Sequence, residues 1–142
     1  MKVWKNLGFQ YDAIATGFIV SEEQAQLIAH YCEEQKKQGT LIFTDPIMGD
    51  DGKLYNGVMH MKHLTACADV IVPNYTEACL LAGVEYKAEG IDRKSMVELI
   101  EKLRQAGSKS IIITSAVVEG QDVVCGYEHK TDSWFMIPFQ DR

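Results

Sequence analysis

Short apolar runs alternate along this chain with segments of helical periodicity, and few folds accept that order. Residues 12–17 (DAIATG) form a brief apolar run, too short for a helix. Ser21 then offers a cap with Gln24 as the other half of a capping box, Ala25, Ile28 and Cys32 share one face, and Gly39 is placed to end the helix. Residues 40–44 (TLIFT) are β-branched and aromatic and run into Asp45-Pro46, where regular pairing is disfavoured. A Gly/Asp-rich loop is predicted over 48–56, a weaker helix over about 58–68, and a short buried strand over 70–72 that Pro73 ends. Asn74 caps a helix over 75–81 that Gly83 closes. After Asp92, the residues Met96, Leu99, Ile100 and Leu103 recur at helical spacing up to Gly107. Residues 110–114 (SIIIT) are almost wholly apolar, as expected of a strand with helices on both sheet faces. Residues 122–139 alternate in two runs around Glu128-His129-Lys130 and predict a hairpin. The order β-α-β-α-β-α-α-β-β-β implies an α/β fold: a doubly wound, largely parallel sheet with right-handed crossovers and a C-terminal β-hairpin.

Composition narrows the function classes. With 142 residues, 46% of them hydrophobic and 24% charged, the chain can bury a core without staples, which excludes disorder and a disulfide scaffold. A formal net charge of −6 argues against nucleic acid or an anionic membrane as main partner. Cys32, Cys67, Cys79 and Cys125 form no CxxC pair, so reduced thiols in a cytoplasmic protein are expected rather than a zinc or redox motif. No apolar run reaches the roughly 18–20 residues of a membrane helix, and residues 1–10 lack a signal-peptide core.

In parallel α/β sheets ligands bind beyond the C-terminal strand ends. Here each parallel strand is followed by a small or polar group: Gly17, Asp45, Asn74, and the pair Thr114-Ser115. Their convergence would gather Asp45, Asp50 and Glu77 with an amide and two hydroxyls beside Gly49 and Gly52, a donor set suited to Mg²⁺ and phosphate. Each motif alone is ordinary turn or capping chemistry; four unrelated strand ends of ligand type are not. The chain has no Walker A, GxGxxG or GxSxG sequence. His60 and His63 are expected at the surface, Trp4 and Trp134 as packing anchors, and Met59 and Met61 as gap fillers.

Residues 45–55 (DPIMGDDGKLY), with 73–81 (PNYTEACLL) and 112–115 (IITS), resemble the pyridoxal/pyridoxamine kinases of the ribokinase-like superfamily. The resemblance covers most of the chain from Thr16 onward, and Gly-Lys-x-Tyr after Asp-Pro-x-Met-Gly-Asp separates it from the related hydroxymethylpyrimidine phosphate kinases. It implies transfer of a phosphoryl group from MgATP to the 5′-hydroxyl of a B6 vitamer, a small-molecule substrate. It also implies roles: Asp45 beside the triphosphate and a monovalent cation, Asp50 and Glu77 organising Mg²⁺, Asn74 at the phosphates, Thr114 and Ser115 lining the nucleotide site, and Tyr55 in a shielding loop. Phe18 stands where many relatives place a tyrosine against the pyridine ring, which keeps stacking and removes a hydroxyl. The family's Gly-Thr-Gly-Asp motif, which carries the catalytic base and anion hole, is absent from these residues, as are the family's N-terminal strand and substrate region. By the resemblance that motif follows the strand containing Phe139, so the catalytic base is expected beyond Arg142 and no residue of 1–142 is assigned the role. Residues 1–142 are therefore expected to be the central part of one kinase domain, inactive alone, with uncovered apolar edges that favour self-association into a homo-oligomer. The alternatives are a hydroxymethylpyrimidine-type kinase and a non-catalytic module that binds a nucleotide or a partner chain.

Overall fold

The computed structural model describes residues 7–8, 10–17, 21–55 and 61–140. In chain order its elements are β1 (Ala13–Thr16), α1 (Glu22–Lys36), β2 (Leu41–Thr44), β3 (Gly49–Asp50), β4 (Lys53–Leu54), α2 (Met61–Cys67), β5 (Val70–Ile71), α3 (Tyr75–Ala82), α4 (Arg93–Gln105), β6 (Ser110–Val118), β7 (Gln121–Glu128) and β8 (Ser133–Pro138). Six strands form one sheet in the order β1-β2-β5-β6-β7-β8, and β3 and β4 pair separately. The first four are parallel, while β7 and β8 extend the sheet antiparallel as a meander. The α/β class, the largely parallel sheet and the terminal hairpin are those expected.

Local chemistry sets the helix starts. Ser21, Asn74 and Asp92 each accept a hydrogen bond from the N–H three residues on, which satisfies a donor the helix itself cannot. α4 buries Met96, Leu99, Ile100 and Leu103, the spacing that predicted it. α3 ends at Gly83 in the left-handed conformation.

The strand order carries a consequence that periodicity does not. Each parallel strand is added on the same side of its predecessor, so right-handed crossovers deliver every described helix to one face. That face carries Ile14, Ile42, Ile71, Ile111, Ile113 and Cys125, and closes into a core with Cys32, Ala78, Met96, Ile100 and Leu103. Ala13, Leu41, Phe43, Ile112 and Ile137 point the other way, and no described helix covers them. The expectation that residues 110–114 are covered on both faces is thus corrected: Ile111 and Ile113 are buried and Ile112 is only partly so. The winding is present as one helical layer among the described residues.

Two further corrections are local. Residues 48–56 are not simply a loop, because Asp51 (φ 47°) and Gly52 (φ 75°) make a two-residue hairpin turn between β3 and β4. β6 runs on to Val118 rather than ending at Thr114. The four thiols are free, three of them buried. Trp134 packs against Tyr127 with ring centroids 5.0 Å apart, and Met61 is buried with Ala25, Met48 and Leu64 in a second small core. His63 pairs with Glu22 at 3.0 Å on the surface. Trp4, Phe18, Met59, His60 and Arg142 lie outside the described residues. No helix among the described residues is long and apolar enough to cross a membrane.

Candidate active site

The parallel strands are laced together just past their C-terminal ends. Asp45 N–H donates to Thr16 O at 2.9 Å, Val72 N–H to Thr44 O at 3.0 Å, and Thr114 N–H to Pro73 O at 3.0 Å. Inside the sheet the Thr16 hydroxyl donates to Thr44 Oγ1 at 2.9 Å. The strand ends therefore form one continuous rim, as the ligand-type residues after each strand predict. At its fourth position the β6–β7 register shifts between Ile113 and Ala116. Thr114 and Ser115 occupy this bulge, and both are exposed. A bulge re-aims side chains that a regular ladder would send to alternate faces.

The N-terminus of α3 splints the β3–β4 hairpin. Asn74 Oδ1 accepts from Glu77 N–H at 2.9 Å, while its Nδ2 donates to Gly49 O at 2.9 Å. Glu77 Oε2 accepts from Asn74 N–H at 2.8 Å and Oε1 from Met48 N–H at 3.1 Å. The Thr76 hydroxyl accepts from Gly52 N–H at 2.9 Å. Glu77 is only 5% exposed, and burial raises its pKa against these N–H donors, with Asp45 adding a smaller repulsion. Loss of solvation also raises the pKa of Asp45.

Beside this splint lies an open cleft of about 290 Å³. Asp50, Asn74 and Ser115 line it, as do Asp51, Thr76, Tyr86, Lys87 and Asp122. Of the residues singled out in the sequence, the cleft thus unites Asp50, Asn74 and Ser115. Thr114 stands on the same bulge, outside the cleft lining. Asp45 and Glu77 neighbour each other under the rim without lining the cleft, and Glu77 faces backbone rather than the opening. Tyr55 is exposed just after β4, its N–H bonded to Met48 O at 2.7 Å. Phe18 is outside the described residues, and so is Arg142. Tyr86 and Lys87 lie outside the quoted motifs, Thr76 lies within residues 73–81 without an assigned role, and Lys87 is the one cation among the described residues lining the cleft.

The donor chemistry accommodates Mg²⁺ in a particular way. No group of three His, Cys, Asp or Glu among the described residues could hold a metal alone. Mg²⁺ keeps most of its water and binds through one or two carboxylates together with substrate phosphates. Asp50 and its neighbours fit a metal that arrives with a nucleotide.

The family model described as phosphomethylpyrimidine kinase matches residues 5–138. The chain belongs to this kinase family. A Schizosaccharomyces pombe protein named as a candidate pyridoxal kinase is 34% identical, with 93% of this chain and 41% of that protein aligned. A Bacteroides thetaiotaomicron protein named as a candidate phosphomethylpyrimidine kinase, solved with pyridoxal, superposes with a TM-score of 0.86 at 33% identity, covering 96% of this chain and 50% of that one. Leishmania donovani pyridoxal kinase, solved with ADP and pyridoxamine, superposes at 0.79 with 27% identity, covering 99% and 54%. These relatives place the chain with the pyridoxal kinases of the ribokinase-like superfamily, of whose length it spans about half.

Proposed function

We propose that this chain supplies the metal-nucleotide half of a pyridoxal kinase site, serving phosphoryl transfer from ATP to the 5′-hydroxyl of a B6 vitamer. The observation that carries the reading is the cleft at the laced strand ends, where Asp50, Asn74 and Ser115 meet beside the α3 N-terminus. Phosphoryl transfer is catalysed chiefly by positioning and electrostatic stabilisation, so what the chain must provide is a rigid frame with correctly aimed groups. Asp50 would hold Mg²⁺ with its carboxylate, one oxygen of which already accepts Asp51 N–H at 3.0 Å. Mg²⁺, when bound, neutralises phosphate charge and orients the transferred group. Asn74 and Ser115 contact phosphate oxygens, Thr114 flanks them on the bulge, and Lys87 offsets remaining negative charge. Glu77 acts under the site, fixing Met48 and Asn74, and the family resemblance would put Asp45 beside a monovalent cation and Tyr55 in a shielding loop.

The family model carries a pyrimidine kinase name, yet solved relatives hold pyridoxal or pyridoxamine, which favours the B6 vitamer as acceptor. The test is calorimetry with MgADP, followed by titration of the MgADP-loaded chain with pyridoxal and with hydroxymethylpyrimidine. Micromolar to millimolar MgADP binding that Asp50→Asn weakens at least about tenfold, the effect typical of a lost charged contact, is expected. No binding at millimolar MgADP sinks the reading, and tighter binding of hydroxymethylpyrimidine than of pyridoxal replaces the substrate.

A further inference from the structure

We propose that Thr76 and Tyr86 are positioning residues for Asp50, clamping the turn next to it so that its carboxylate stays aimed into the cleft. The inference rests on the nucleotide-site reading and gives a role to Thr76, inside residues 73–81, and to Tyr86, outside the quoted motifs.

The argument starts from the weakness of the hairpin. β3 and β4 contribute two residues each, with Gly49 paired to Leu54 and Asp50 to Lys53. So short a ladder has no stability of its own. Asp50 is the last residue before the turn, so any motion of Asp51 or Gly52 moves its carboxylate directly.

The turn is held from two sides. From below, the buried Thr76 hydroxyl accepts Gly52 N–H at 2.9 Å. From above, the Tyr86 ring lies so close that a Cβ on Gly52 would sit 2.7 Å from Tyr86 Cδ1. Glycine is therefore required at 52 twice over, by its φ of +75° and by the ring. Tyr86 is itself fixed: its ring packs on Tyr75 at 5.3 Å between centroids, and the Tyr75 hydroxyl accepts Lys87 N–H at 3.4 Å. Tyr75 and Thr76 are the first two residues of α3, so one helix start anchors both jaws of the clamp. Thr76 and Tyr86 also line the cleft that Asp50 enters.

A structural role alone would lower stability and affect every ligand equally. A positioning role for a metal-facing carboxylate lowers affinity chiefly when the metal is present. The experiment is calorimetric titration of the whole chain with ADP, once with Mg²⁺ and once with a chelator, for wild type, Thr76→Val, Thr76→Ser and Tyr86→Leu, with thermal melts of each. Thr76→Val and Tyr86→Leu are expected to weaken MgADP binding about tenfold, the lower end for residues that orient a metal ligand. Metal-free ADP binding should weaken far less than MgADP binding, since both residues line the cleft but act chiefly through Asp50, and Thr76→Ser should restore the wild-type MgADP value. Equal affinity of wild type and Thr76→Val for MgADP overturns the proposal, as does a parallel loss with and without metal. Absence of MgADP binding by wild type overturns the underlying reading and this proposal with it, and is distinguished by needing no variant.

Discussion

The two faces of the sheet are built from the same strands and have opposite fates. Along β2, Leu41 is 52% exposed, Ile42 fully buried and Phe43 36% exposed, with Thr44 fully buried. The pleat sends neighbours to opposite sides, and only one side receives helices. On the open side Ile137, 58% exposed, continues the apolar surface toward the sheet edge. A strand of an ordinary half-covered sheet would put polar residues there. This one is apolar on both faces, the pattern of an interior layer, although the described helices supply a single covering.

The comparison is broken most directly on β2 by making the same substitution at adjacent positions. Ile42→Ala removes buried methylenes from the closed core against Ile71 and Ala68, and should cost about 2–5 kcal/mol in denaturant unfolding. A loss below about 1 kcal/mol, less than that range allows, would mean that the helical layer is not packed in solution as it is here.

Next in size is an alkaline effect. Burial pushes the thiols of Cys32 and Cys125 up to about 11 from an ordinary 9.0. Both groups have folded values above their unfolded ones, so their stabilisation is complete below pH 9 and is lost as pH rises toward 11. The melting temperature should fall through that window by several degrees, and Cys32→Ala with Cys125→Ala should reduce the slope, the Cys67 and Cys79 thiols, also raised by burial, keeping part of it. Burial likewise drives the Tyr75 hydroxyl up to about 12, so a smaller decline persists in the double variant. A melting temperature independent of pH across that window would show that these thiols reach water.

What was legible in the sequence follows the range of the interactions. The caps at Ser21, Asn74 and Asp92 act over three residues, and the buried stripe of α4 over eight, so both appear in the pattern. The strand-end residues were also legible, because parallel topology brings them to one rim whatever their separation. The bond of Glu77 to Met48 N–H was not: it spans 29 positions, whereas its capping exchange with Asn74 spans three and shows in the pattern. Thr76 was invisible for the same reason, since its contact with Gly52 joins residues 24 apart. The Asp51-Gly52 turn was a readable hairpin signal, but flanks of two residues are too short to alternate. One-sidedness needs the strand order, which periodicity does not contain.

The smallest expected effect is the most informative about the open face. Leu41→Ala removes about as much apolar volume as Ile42→Ala one residue away, yet half of the Leu41 side chain meets solvent already. The transfer free energy regained on folding is correspondingly small, and the change should stay within about 0.5 kcal/mol, the usual range for surface sites. That holds only while the face is bare. If a second copy of the chain covers it, as the expectation of self-association requires, Leu41 becomes a core residue of the assembly. The loss then approaches that of Ile42→Ala and grows with protein concentration, because association and folding are linked by mass action. Melts of both variants across a hundredfold range of concentration separate the two cases. Concentration-independent, near-wild-type behaviour of Leu41→Ala means that the face stays open in solution, with Leu41, Phe43 and Ile137 as its apolar surface.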